Sequence, residues 1–339
     1  MNIKKILKLP FWTASLFGQD KSFKVNPILG DPNLNRAGLH TVRYLAAHVI
    51  TQWRWLLMSP CATKEDRIAF HNDGFLLKKD YLPDAEFAKL NEEVRKAKGE
   101  VRECIQGDTL THRVLLDDQA LEGLPECQKL VSDAKLMHSL KYAAAANSSP
   151  LLYIQSIKNQ YISGKPDPQK SLHSDTFHPT MKAWLFLDDV TDENGPFTYV
   201  PGSHKLSWKR LKWEYKKSIV ARAQPDGYSE KGSFRMTETD RIEMGLNQAV
   251  AFKVPMNTLV IANTHGFHCR GASESKSSRS EIWAFSRGNP FNPLIGLDFP
   301  LKRKIEHFVV NTVLSRQDKL KGKHASWHLV DNDKLHQVP

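Results

Sequence analysis

Apolar residues recur at every third or fourth position from Asn35 to Met58, with Leu39, Val42, Ala46, Val49, Ile50, Trp53 and Leu57 in step, which predicts a helix whose Trp53 and Trp55 suit either a membrane interface or core packing. Further along, the period shortens. Residues 101–118, VRECIQGDTLTHRVLLDD, break at Gln106-Gly107-Asp108 and continue as an alternating strand. Leu151 to Ser156, Met181 to Val190, Asn257 to Ala262 and Ser280 to Ser286 are short apolar runs of strand length. Helix signals lie outside them. Thr63 opens a short helix before a Gly74 to Leu77 strand, Asp84 caps a helix through about Lys98, and another spans about Ile305 to Leu320. The order predicts a mainly β core with flanking helices and an N-terminal helical segment.

Within this pattern one stretch carries chemistry, SLHSDTFHPTMKAWLFLDDVTDENGPFTYVPGSH from Ser171 to His204. His173 and Asp175, two apart on a strand, point to one face and can grip one cation, while Ser174 faces away. The apolar run then meets the turn Asp192 to Pro196, which is expected to reverse it into Phe197 to Val200 as an antiparallel hairpin. A later apolar strand ends in His265 and His268, either of which would complete two imidazoles and a carboxylate. That set leaves three positions open on Fe(II). Arg279 follows, and its planar fork of donors suits a carboxylate better than a lysine does.

Composition narrows the class. With 40% hydrophobic and 25% charged residues the chain is neither disordered nor built of membrane spans, and 339 residues suffice for one enzyme-sized domain with appendages. Four cysteines without Cys-x-x-Cys spacing favour a reducing compartment, here the cytoplasm. The lysine-led N-terminus is interrupted by Lys8 and Pro10 and is read as retained rather than as a signal peptide. The boundaries read as a basic amphipathic segment over 1–60, a β domain over 61–300, and a basic helix and tail over 301–339.

The formal charge of +11 points to an anionic partner. In the first sixty residues Lys4, Lys5, Lys8, Lys21, Lys24, Arg36, Arg43 and Arg54 face only Asp20 and Asp31. With Ile3, Ile6, Leu7, Leu9, Phe11 and Trp12 beside the lysines, two readings stand: an interfacial anchor on the inner face of the cytoplasmic membrane, or a tail packed on the domain. The segment HKLSWKRLKWEYKK from His204 is also cationic and aromatic. Without a zinc finger, helix-turn-helix or P-loop, no nucleic acid is expected, and the segment reads as a pocket cover or a solvated helix face.

Taken in order, His173-x-Asp175, Ala183-Trp184, Asp188-Asp189-Val190, Glu193-Asn194-Gly195-Pro196, Pro201-Gly202-Ser203-His204, His268 and Arg279 resemble the phytanoyl-CoA dioxygenase family of Fe(II)- and 2-oxoglutarate-dependent oxygenases. The resemblance covers about residues 63 to 290. It implies a double-stranded β-helix, the cupin-like jelly roll. It also implies His173, Asp175 and His268 as catalytic iron ligands, Arg279 on the co-substrate carboxylate and Trp184 along its pocket. His268, not His265, stands at the family's spacing before Arg279. Two places after it the chain has Arg270, where some relatives carry a small hydroxylic residue. The implied reaction uses 2-oxoglutarate and O2 to hydroxylate a C–H bond.

Two competing readings keep this scaffold: zinc on the same ligands as a hydrolytic centre, and a non-catalytic lipid-surface binding protein. Arg279 and the intact triad argue against both. For the substrate, an anionic lipid or sugar-lipid at a membrane surface suits the charge, and the bacterial hydroxylases of the Kdo sugar on lipid A precursors resemble the chain in their long N-terminal segment. Arg113, Arg210 and Lys212 are then candidate substrate contacts, with an ordinary surface role as the alternative for Arg113. A small metabolite or an acyl-CoA is the alternative substrate.

Overall fold

The structure is a computed structural model that describes residues 7–224 and 226–337. Its first elements are the helices α1 (Leu9–Ser15), α2 (Pro32–Arg36), α3 (Leu39–Leu57) and α4 (Lys64–Asp73), the strand β1 (Phe75–Lys78) and the helix α5 (Asp84–Lys96). The Thr63 side chain caps α4 by accepting from Asp66 N–H, and Gly74 ends it at a φ of +89° that an L side chain rarely adopts. Asp84 lies in the first turn of α5 rather than at its cap, which is Pro83. A hairpin of β2 (Val101–Gln106) and β3 (Thr109–Leu115) turns at Gly107, as its sequence suggested.

Three short helices follow, α6 (Asp118–Glu122), α7 (Pro125–Ser132) and α8 (Ala134–Ala143), and then the long strand β4 (Leu151–Asn159) and β5 (Met181–Phe186). Next come β6 (Phe197–Tyr199), α9 (Trp208–Val220), α10 (Glu238–Met244), β7 (Val250–Ala251), β8 (Leu259–Asn263), β9 (His268–Arg270) and β10 (Ser277–Ser286). The chain closes with α11 (Pro300–Lys321) and β11 (His328–Val330). Eight strands form one antiparallel sheet in the order β1-β8-β5-β10-β4-β3-β2-β11, and β7-β6-β9 form a second. Two facing sheets whose strands alternate in this way make the jelly roll.

The alternation of side chains sorts the core. Ala183 and Leu185 of β5, with Ile282 and Ala284 of β10, pack under α5, α7 and α8, while Trp184 and Trp283 turn to the space between the sheets. Trp184 and Trp283 are direct cross-strand partners. Trp184 also lies 4.3 Å, centroid to centroid, from Phe197 of the opposite sheet. The inter-sheet space therefore has an aromatic floor.

Two further sequence expectations change. β5 and β6 do not pair as a hairpin, because β5 lies in the large sheet and β6 between β7 and β9. The Asp192–Asn194 turn carries the chain from one sheet to the other. His173 sits on isolated bridges to His268 and Arg235 instead of within a regular strand.

The apolar stripe of α3 is largely turned outward, with Trp53 exposed and Trp55 in the core. Val42, Val49, Trp53, Leu56 and Leu57 are exposed, whereas His40, Arg43, Tyr44, His48, Thr51 and Arg54 are buried. Hydrogen bonding explains the inversion. Arg43 donates to the carbonyls of Leu16 and Asp20, Arg54 to that of Asn289, and Trp55 Nε1 to that of Tyr142. A polar face satisfied in this way can be buried at modest cost. Among the described residues, no helix is long and apolar enough to cross a membrane.

Candidate metal centre

His173 and His268 meet because their main chains pair, each N–H donating to the other's carbonyl at 2.9 and 3.0 Å. The N–H of Asp175 donates to the Thr264 carbonyl at 3.0 Å, which returns its side chain to the same side. The two imidazole Nε2 atoms each lie 3.8 Å from Asp175 Oδ1. One ligand atom from each of the three residues fits within a 4.8 Å span.

The tautomers of both rings follow from their other nitrogen. His173 Nδ1 lies 2.8 Å from the Ser171 carbonyl and His268 Nδ1 lies 2.9 Å from the Gly266 carbonyl. A carbonyl only accepts, so Nδ1 carries the proton and Nε2 presents a lone pair. Both Nε2 atoms are buried and have no hydrogen-bond partner. Burial holds His268 down at about 4 and His173 well below the usual imidazole range, so both rings are neutral at pH 7. Burial alone would raise the Asp175 carboxyl, but the Lys182 ammonium and the two imidazoles hold it well below its ordinary value.

Two neutral donors and one carboxylate with orphaned lone pairs fit a divalent cation. His265 is the counter-example. Its Nδ1 donates to the Thr176 carbonyl at 2.8 Å and its Nε2 lies 3.0 Å from the Tyr44 hydroxyl, so neither nitrogen is free. Gly266 sits between the two histidines for a packing reason. A Cβ there would stand 1.8 Å from Tyr199 Oη.

A cavity of about 120 Å³ adjoins the triad, and Arg113, Lys182, Trp184, Arg270, Arg279 and Trp283 are among its walls. Arg279 is fully enclosed by polar partners on one side: Nε donates to Glu281 Oε2 at 3.1 Å, and Nη1 to the carbonyls of Asn194 and Gly195. Among the described residues Nη2 makes no hydrogen bond, leaving that amino group for a ligand. Arg113 also reaches this cavity, its guanidinium 3.7 Å from the Trp283 ring and its Nε donating to Gln155 at 2.6 Å. Burial pushes Arg113 down to about 10, which leaves it charged.

Arg210 and Lys212 are not brought to this site. Arg210 is buried in α9, where Nη2 pairs with Glu214 Oε1 at 2.9 Å and Glu214 Oε2 accepts from His40 at 2.9 Å. It fastens α9 to α3 and has no free edge for substrate. Lys212, on the outward side of the same helix, is exposed and lines no part of the metal cavity. The cationic pattern reflected one internal ion network and a solvated face.

Sequence reasoning missed Lys182 and Glu281. Lys182 Nζ lies 2.6 Å from Asp175 Oδ2, and Glu281 holds Arg279 from two residues away. Strand parity carried the signal for both, since Lys182 shares a face with Trp184 and Glu281 with Arg279. The N-terminal contribution had no such signal: Lys21 Nζ donates to the Asp175 carbonyl.

The sequence profile described as Phytanoyl-CoA dioxygenase (PhyH) matches residues 70–243, just over half of the chain. The human protein Phytanoyl-CoA dioxygenase, peroxisomal (Homo sapiens) is 25% identical over 186 residues, covering 48% of this chain and 54% of the human one. The chain thus spans about half the length of this curated relative. Among solved structures, the epimerase SnoN with Fe3+, alpha ketoglutarate and nogalamycin RO aligns at a TM-score of 0.43 and 20% identity, over 67% of this chain and 83% of that one. HygX from Streptomyces hygroscopicus, with nickel and 2-oxoglutarate, aligns at 0.41 and 16%, over 66% and 86%. Likenesses at these scores carry no weight for ligand or reaction.

Proposed function

The chain belongs to the phytanoyl-CoA dioxygenase family, and from that premise we propose that it is an Fe(II)- and 2-oxoglutarate-dependent dioxygenase that hydroxylates a C–H bond of an anionic substrate. The observation that carries the reading is the pair of imidazoles whose Nδ1 protons are committed to carbonyls while both Nε2 lone pairs converge on Asp175. His173, Asp175 and His268 would hold the iron. Arg279 Nη2 would take a carboxylate of 2-oxoglutarate, with Trp184 as a wall. When bound, the iron with 2-oxoglutarate and O2 supplies the oxidation, in which one oxygen atom enters the substrate C–H bond and the other leaves in succinate beside CO2. The protein's part is orientation and exclusion of water by the aromatic floor. Succinate release dependent on both Fe(II) and 2-oxoglutarate tests the reading; activity with zinc alone would replace it with a hydrolytic centre.

For the substrate we propose an anionic molecule presented at a membrane, with the Kdo sugar of a lipid A precursor as the specific candidate. The net charge and the exposed apolar residues Leu9 and Phe11 of α1 and Val49 and Trp53 of α3 support peripheral attachment to an anionic surface. Arg113 remains as a cation open to the metal cavity. Mass spectrometry of lipopolysaccharide from cells with and without the protein tests the candidate: no gain of one oxygen on Kdo removes it. Loss of vesicle co-sedimentation in Trp53→Asp tests the attachment. The name of the human relative keeps an acyl-CoA as the second reading.

A further inference from the structure

Two cavities of the protein meet at one side chain. The metal cavity, at about 120 Å³, falls well below the ~300–1,000 Å³ of pockets that enclose drug-sized ligands, too small for a co-substrate and a second molecule together. A second cavity of about 550 Å³ lies between the β3–β4 part of the large sheet and α11, with Leu115, Tyr153, Val310, Leu314 and Trp327 among its walls. Arg113 lines both. A third cavity, of about 700 Å³ beside Arg287, has no wall residue in common with the metal cavity.

Arg113 is tied down at one point only. Its Nε donates to Gln155 Oε1 at 2.6 Å, Gln155 Nε2 donates to Glu281 Oε1, and Arg279 Nε donates to Glu281 Oε2 at 3.1 Å. One buried carboxylate thus anchors two arginines, Arg279 directly and Arg113 through Gln155. The ring centres of Trp283, Trp327 and Tyr153 lie 3.7, 4.5 and 5.6 Å from the Arg113 guanidinium. Aromatic faces hold the guanidinium plane without engaging its N–H groups. Among the described residues neither amino group of Arg113 makes a hydrogen bond, and the side chain, only half-buried, leaves those donors to the cavities.

The other charges around the 550 Å³ cavity are matched or solvated. Lys96 pairs with Glu92 at 2.6 Å, Arg102 pairs with Asp318 at 2.8 Å and with Glu100, and Lys98 is exposed. The acids are engaged as well, Glu100 by Arg102 and Asp117 by Asn311 at 2.9 Å. Two of these contacts, Arg102 with Asp318 and Asp117 with Asn311, fasten α11 over the cavity. Both α11 and Trp327 lie beyond residue 243, where the match to the family profile ends.

We propose that this cavity is the chamber for the primary substrate, whose carboxylate or phosphate group sits on the free amino edge of Arg113 while its body lies among Tyr153, Trp327 and the Val310–Leu314 face of α11. The proposal rests on the oxygenase reading only in taking the adjoining cavity as the place of reaction. Arg113 stands at the junction, so the charged end of the substrate is the end nearest the triad. A carbon close to that charge is then the one presented for reaction. A guanidinium edge suits either oxyanion, and the aromatic and aliphatic walls suit a ring or chain attached to it. Leu314 and Trp327, supplied by the closing segment of the chain, decide which bodies fit.

The test is calorimetric titration of the full-length chain with Fe(II) and saturating 2-oxoglutarate under argon. Phenyl phosphate and benzoate are the anionic probes and benzyl alcohol the uncharged one. The expected result is binding of at least one anion, weakened tenfold or more in Arg113→Gln and in Leu314→Trp, which fills the chamber, and threefold or more in Trp327→Ala. Lys212→Ala, on the exposed side of α9, should match the wild type within twofold, and the alcohol should bind at least tenfold more weakly than the better anion. That anion identifies the charged group. No anion binding by the wild type, or affinity within twofold of it in Arg113→Gln and Leu314→Trp, overturns the proposal. Should Arg113→Gln fail to unfold cooperatively, Leu314→Trp and Trp327→Ala decide. Titration with 2-oxoglutarate itself guards against a misassigned arginine: an Arg113→Gln effect confined to 2-oxoglutarate gives Arg113 to the co-substrate and overturns the chamber. Succinate formation on the same preparations separates the two readings. Anion binding lost in the variants without succinate from any preparation removes the oxygenase and leaves the chamber; succinate with unchanged anion affinity removes only the chamber.

Discussion

Lys182 Nζ stands 2.6 Å from Asp175 Oδ2, so the single carboxylate of the candidate triad shares its charge with an ammonium projected from β5. Lys182 lies two residues before Trp184 on β5, and both face the inter-sheet cavity. The strand that floors the pocket thus also orients the Asp175 carboxylate, leaving Oδ1 toward the imidazoles.

Replacing Asp175 by Ala removes the only anionic ligand and strands Lys182 among cations. Affinity for Fe(II) or Co(II), measured by calorimetry, is expected to fall by at least about 100-fold, and succinate formation to cease. Wild-type turnover in Asp175→Ala would sink the triad assignment.

Arg279→Lys keeps one positive charge but cannot hold Glu281, the Asn194 carbonyl and a ligand at once. The KM for 2-oxoglutarate is expected to rise about tenfold or more, with a smaller change in kcat. An unchanged KM would remove Arg279 from co-substrate binding.

Acid should destabilise the fold before it protonates the buried histidines. Burial holds His48 at about 4 and His204 at about 3, both below the ordinary imidazole value of 6.5. Between those values the unfolded chain binds protons that the native chain refuses, so stability is full above about pH 6.5 and falls as pH drops toward 4. Each such histidine costs up to about 1.4 kcal/mol per pH unit in that window. Thermal unfolding from pH 7 to 4 measures the slope, and His48→Phe should reduce it; an identical slope would acquit His48.

Removing Glu214 leaves Arg210 buried and unpaired and takes the acceptor from His40. Glu214→Ala is expected to cost about 3 kcal/mol or more, while Lys212→Ala, on the exposed side of the helix, should stay within about 0.5 kcal/mol. Comparable losses in both would show that the network adds nothing to α9 docking.

Strand parity, which is local, disclosed His173 and Asp175, while the choice of His268 over His265 needed the family's spacing before Arg279. Arg279 and Trp184 were named through the family resemblance, and both line the cavity. The failures arose where tertiary partners decide. Nothing near Val42 or Trp53 says that Leu16, Asp20, Asn289 and Glu214 will hydrogen-bond the other side of α3, and that network decides which face is buried. Arg210 misled similarly, since its partner Glu214 sits four residues on, where a surface pair looks identical. The hairpin was misread because a turn's residues report a reversal but not which sheet receives the next strand.

The last strand of the large sheet comes from the chain's closing residues, His328–Val330 against Glu103, Arg102 and Val101 of β2. During synthesis His173, Asp175 and His268 all exist before this strand does, and until it docks β2 is the sheet's bare margin. Unpaired amides along such a margin accept any extended segment, including β2 of another chain. A chain ending just before residue 328 would keep His173, Asp175 and His268 but leave β2 bare, and its expected defect is lost solubility, visible in the pellet.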